Sequence, residues 1–162
     1  MATQTSTEDP LSDVQLVVSD LVFETVKNYM DTKDVRLNLN NNTIYIINRV
    51  LEQFPELFQN IDKHINVIIE DGKFDINDVP QIVLMIKDII NGDVKKFKKL
   101  KIRRSDAILL IEGILTILID CDVLKTGNNK DSIKTLLRLC VQILDAGVNL
   151  NETITCDWKC CC

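Results

Sequence analysis

Histidine is almost absent from this chain: His64 is the only one among 162 residues. A catalytic dyad, a Ser-His-Asp triad or a His-based zinc set would have to use that residue. It lies between Lys63 and Ile65 in a helical pattern, and no G-x-S-x-G turn accompanies it. His64 therefore reads as a surface or boundary histidine. Glycine is scarce as well, at five residues. None falls into G-x-G-x-x-G or G-x-x-x-x-G-K, so no phosphate-cradling loop is expected. Aromatic residues make up 5% of the chain, which leaves few ring faces for stacking on bases or sugars. The amino-terminal MATQTSTEDP has no basic stretch followed by an apolar one, so a secretory signal is not expected. The longest apolar stretch, AILLIEGILTILI (107–119), is interrupted by Glu112 and Gly113. As a helix it would span about 20 Å, against a hydrocarbon core of about 30 Å, so it reads as a buried helix and not a transmembrane one.

What is present is aliphatic. Hydrophobic residues make up 46% and charged residues 27% of the chain, the balance of a globular domain with a core of Leu, Ile and Val. Helical periodicity and stop signals recur along it. A stripe runs from a cap at Ser12 to about Met30. A polar, Asn-rich connection follows at 31–42, with an extended piece at 35–39. Asn42 or Thr43 can cap the next segment. Pro55 then either kinks that helix or opens a new one, so 43–54 and 55–71 are one kinked helix or two. Further helices run from near Pro80 to Gly92, from a cap at Ser105 through a central apolar helix (107–124), and from Asp131 or Ser132 to Gly147. The expectation is an all-α fold, a single compact bundle of about six helices. An irregular arm at 1–11 precedes the helical domain at 12–147, and a Cys-rich tail occupies 148–162.

DGKFDINDVPQIVLMI (71–86) raises the question of a calcium loop. With Gly72 as the turn glycine, Asp71, Asp75 and Asp78 fall at ligand positions, but the first two ligand places are Val67 and Ile69. Starting at Asp71 instead puts Ile76 at the glycine position and Ile82 where the bidentate acid must be. Calcium needs six to eight oxygens, so both frames fail. The stretch reads as a helix end, a short connection and a capped helix start. Its pattern recurs faintly 26 residues on, at 100–111, with 74/100, 76/102 and 82–85/108–111 matching.

Charge is concentrated in KKFKKLKIRR (95–104), where Lys95, Lys96, Lys98, Lys99, Lys101, Arg103 and Arg104 are seven cations in ten residues of a chain with net charge −5. One reading is a solvated strand or helix face with Phe97, Leu100 and Ile102 turned inward. The functional reading is a patch for an anionic partner, best an acidic protein surface, since specific nucleic-acid binding is not expected of a net-acidic chain. Asp120 and Asp122 flank Cys121 at the end of an apolar helix, a wet helix end or, with a borrowed metal, the one carboxylate pair an enzyme could use. No cofactor is expected and the chain does not read as an enzyme. Cys121 and Cys140 lie in helical segments, where a thiol packs as a small hydrophobe. Cys156, Cys160, Cys161 and Cys162 crowd around Trp158 in a spacing that suits neither a tetrahedral zinc set nor a C-a-a-X signal. Cross-linking to a neighbour and a tail of exposed thiols both remain open.

DGKFDINDVPQIVLMIKDII (71–90), in a chain rich in Ile, Asn, Asp and Lys, resembles phrases of small helical proteins of large icosahedral double-stranded DNA viruses, the minor capsid components of algal viruses in particular. The resemblance implies a non-enzymatic virion protein that bridges major capsid units or joins them to the inner membrane. It carries over no functional residues. From composition and pattern the chain reads as a structural or interaction protein of a larger assembly, with homo-oligomerisation open. The alternative is a soluble helical adaptor or regulator, cytoplasmic, that binds a single protein partner.

Overall fold

The computed structural model describes residues 10–32 and 39–157, with side chains placed at 21–32 and 39–147. Among these residues there are seven α-helices and no strand. In chain order they are α1 (Pro10–Thr32), α2 (Asn41–Gln53), α3 (Glu56–Ile68), α4 (Val79–Gly92), α5 (Val94–Lys99), α6 (Arg104–Asp120) and α7 (Lys130–Asp157). Single 3₁₀ turns at Ile76–Asp78 and Gly127–Asn129 lead into α4 and α7. The all-α expectation is met, with one helix more than the periodicity gave. That helix, α5, is formed by the basic run itself.

The expected central helix is α6. It buries ten residues, from Ala107 and Ile108 to Leu118 and Ile119, nine of them with apolar side chains. Helices α1, α2, α4, α5 and α7 all pack against it. Each buried Leu or Ile contributes about 1.5–3 kcal/mol relative to exposure, so this helix is the main source of core stability. Gly113 sits where α2 crosses: a Cβ there would lie 2.8 Å from Thr43 Cγ2, so only glycine permits the approach. α1 joins α3 through Phe23 and Phe58, edge to face at 5.5 Å.

Several boundaries differ from expectation, each for a local reason. α1 opens at Pro10, two residues before Ser12; proline is well placed in a first turn because it has no N–H to leave unpaired. α2 is capped by Asn40, whose side chain accepts from Asn42 N at 2.9 Å, which frees Thr43 to pack inward. Residues 41–53 and 56–68 are two helices: Phe54 and Pro55 separate them, and Phe54 N still donates to Val50 O. α6 begins at Arg104 with Arg103 at the N-cap, so Ser105 lies inside it, and it ends at Asp120 and not at 124. α7 continues through Gly147 to Asp157, because a glycine costs a helix interior about 1 kcal/mol without stopping it. The tail is thus helical as far as Asp157. The extended piece foreseen at 35–39 lies, apart from Leu39, outside the described residues, as do residues 1–9 of the arm.

The calcium-loop question has a structural answer. Asp71 accepts from Lys73 N, Asp75 accepts from Asn77 N, and Asp78 accepts from Asp75 N. The last two form a reciprocal capping box that starts the 3₁₀ turn before α4. Gly72 turns the chain at φ 79°, and Phe74 N donates to Lys125 O in the connection between α6 and α7.

Candidate functional site

Asp93 ends α4 and opens α5: its carbonyl accepts from Lys96 N and Phe97 N at 2.9 and 3.0 Å. Its carboxylate is buried and accepts from Asn60 Nδ2 of α3 at 3.0 Å, with Lys96 Nζ 3.8 Å away. At the other end of α5, Arg49 of α2 donates to Leu100 O at 2.8 Å, a cation on the carbonyl end of a helix, where the backbone dipole favours it. Between these fixings Phe97 packs edge-on against Phe54, with ring centroids 5.9 Å apart, and Lys96 Nζ lies 4.4 Å from the Phe54 ring centroid. The basic run is therefore a ridge bolted to α2 and α3.

The chain leaves α5 through a left-handed residue. Lys101 has φ 53°, Lys101 N donates to Lys98 O and Ile102 N donates to Phe97 O. This is a Schellman closure with lysine in the place usually held by glycine. It turns Leu100 and Ile102 into the core beside Phe97, as the inward reading of the run requires.

All seven expected partner-binding cations are exposed. Lys96 has Asp93 nearby, and Arg103 holds Asp106 at 2.8 Å. The hydrogen bond to Asp106 raises the Arg103 guanidinium above its ordinary value, with the Asp106 charge adding to it. Arg104 donates to the neutral amide oxygen of Asn91 at 2.9 Å. Among the described residues, Lys95, Lys98, Lys99, Lys101 and Arg104 have no carboxylate within 4.0 Å. Lys95 with Lys98 and Lys95 with Lys99 are like-charge pairs three and four residues apart, each costing a helix about 0.2–0.5 kcal/mol. No exposed large apolar side chain lies on residues 94–104.

Two hollows flank α5. One, of about 470 Å³, lies between the end of α4, α5 and the start of α6. Ile90, Val94, Phe97 and Ile102 form its apolar floor, Lys98, Arg103, Arg104 and Ser105 its rim, and no carboxylate lines it. The other, of about 420 Å³, is bordered by Phe54, Lys96 and Lys99 but also by Glu56.

The remaining candidates are scattered. Asp120 accepts from Lys134 Nζ at 2.8 Å and Asp122 pairs with Lys130 at 3.1 Å, so both carboxylates are engaged in ion pairs. Among the described residues no three His, Cys, Asp or Glu side chains gather as a metal set. Cys121 is the exposed C-cap of α6 and not a packed helical thiol, while Cys140 is half-buried in α7. Cys156 lies on the last turns of α7; Cys160, Cys161 and Cys162 lie outside the described residues. His64 is half-buried on α3. No described helix is long and apolar enough to cross a membrane. Reasoning from the sequence missed Arg49, Phe54, Asn60 and Asp93, the residues that fix the ridge, because none shares a local motif with it. No family model, curated protein or solved structure matches this chain.

Proposed function

We propose that this chain is a non-enzymatic interaction protein of a larger assembly, docking an acidic protein surface on the ridge at 95–104. One observation carries the reading: five exposed cations have no carboxylate partner, Lys95, Lys98 and Lys99 on the helix that α2 and α3 hold in place and Lys101 and Arg104 just beyond its end. Lys98 and Lys99 lie in the last turn of α5, where the dipole favours them, but the run also sets like charges three and four residues apart, at a small cost to the helix. An opposing acidic surface would offset that cost and steer association at low salt. Phe97 is buried, so the run offers no ring for base stacking, and it has no protruding apolar side chain to insert into lipid. In its most specific form the reading is the minor capsid role implied by the resemblance of residues 71–90, with major capsid units as the acidic partner.

Cross-linking and native mass spectrometry on material from the source, without reducing agent, test the proposal. The expected result is a link from the lysines of 95–101 to another protein chain. The triple variant Lys95→Glu, Lys98→Glu and Lys99→Glu should lose that partner by about a hundredfold while its thermal unfolding stays within a few degrees of wild type. A free monomer that binds none of its co-purifying proteins would overturn it.

A further inference from the structure

Resting on the reading of 95–104 as a docking ridge, we infer that the hollow between α5 and the start of α6 receives an acidic peptide segment that inserts one apolar side chain. The hollow is two-natured. Its floor is made by Val94, Phe97 and Ile102, and its rim by Lys98, Arg104 and Ser105. A volume of about 470 Å³ falls in the range of small-ligand sites, room for one side chain together with the backbone that carries it.

The rim charge is unspent. Lys98 has no carboxylate near it, and Arg104 is held in direction by the neutral Asn91 amide, which leaves its charge uncompensated. Arg103 is occupied by Asp106 and adds little. The half-buried hydroxyl of Ser105 can donate to a carboxylate or a peptide carbonyl. An anion alone would meet the rim but leave the apolar floor, chiefly the half-buried Val94, uncovered. An apolar group alone would fill the floor and leave the cations unmatched. A segment carrying both satisfies the whole lining. The hollow on the other side of α5 is the poorer seat for it, because Glu56 borders it and would repel an acidic chain.

The distinguishing measurement is fluorescence anisotropy of the full chain with two labelled peptides at about 50 mM salt. One has four glutamates around a single leucine; the other has serine in place of that leucine. The leucine peptide should bind about tenfold more tightly, the effect of burying one aliphatic side chain. It should also shift the Val94 and Ile102 methyl resonances of the wild-type chain, which the serine peptide should leave in place. Lys98→Glu with Arg104→Glu should weaken both peptides, whereas Val94→Trp, which fills the floor, should remove only the advantage of leucine. Equal affinity for the two peptides, with unmoved methyls, would overturn the pocket and leave the acidic-partner reading standing. Failure of both peptides beside binding to phosphatidylserine vesicles or duplex DNA would overturn the two together.

Discussion

The two ends of α6 carry opposite charge, and both are set against the helix dipole. Arg103 and Arg104 stand at the amino end, where positive charge is disfavoured; Asp120 and Asp122 stand at the carboxyl end, where negative charge is disfavoured. Each adjoining loop turns on a left-handed residue that is not glycine, Lys101 at φ 53° and Asp122 at φ 57°. The same pair of backbone bonds closes each turn: Asp122 N to Ile119 O and Val123 N to Leu118 O match the pair at Lys101. What differs is compensation. At the carboxyl end Lys134 pairs with Asp120, and Lys130 reaches both Asp122 and the Asp120 carbonyl. At the amino end Asp106 answers only Arg103. One end of the helix has its charges paired within the fold, and the other keeps Arg104 with only a neutral amide beside it.

Removing the completion should make the ends alike. Lys134→Ala leaves Asp120, about a quarter exposed, without its cation at a carbonyl-rich helix end. The expected loss is about 1 kcal/mol, a fall in Tm of about 2–4 °C by calorimetry. An unchanged Tm would mean that the pairing at this end is ornamental.

The left-handed turns sharpen the contrast. A lysine in that conformation is strained by about 1–2 kcal/mol, part of which glycine recovers after its larger entropy loss on folding. Lys101→Gly should therefore stabilise the protein by about 0.5–1 kcal/mol in urea unfolding. Asp122→Gly should gain less, because aspartate tolerates the left-handed region better and the change also removes the pair with Lys130.

The middle of α6 supplies the smallest effect. Burial pushes the Glu112 carboxyl above its ordinary value, and Arg138, 3.8 Å away, pulls it partly back. A carboxyl that titrates higher in the folded state stabilises the fold most when protonated. Its contribution is present below the unfolded pKa and is lost as pH rises through the folded one. Glu112→Gln should match wild type below about pH 4 and exceed it slightly near neutrality, as a plot of Tm against pH would show. A variant that is worse at neutral pH would mean that the Arg138 pair outweighs the burial.

The legible parts of this molecule were those whose physics is local. Ala107–Ile119 declares a buried helix through its apolar residues alone, and Phe97, Leu100 and Ile102 announce their inward direction by spacing. The carboxylates of 71–78 could be assigned to caps because calcium demands oxygens that the stretch lacks. The helix α5 could not be read, since six residues with four lysines favour a helix only when Asn60 and Arg49, 33 and 51 residues away, hold its ends. Glycine was an uneven guide: Gly72 turns the chain and Gly92 closes α4 as expected, but Gly147 stops nothing, and Lys101 and Asp122 make left-handed turns that no glycine marked. The two matching segments part at their second apolar place, where Ile76 is 51% exposed and Ile102 only 6%. That difference turns one connection outward and folds the other under the ridge.

The bond from Arg49 to the Leu100 carbonyl has a mechanical meaning. If the ridge docks a partner as proposed above, a pull on it would load α2 through Arg49 and α3 through Asn60 and Asp93, two helices of the core and not a free loop. On that reading the ridge is already in its working shape, and docking would require little loss of motion.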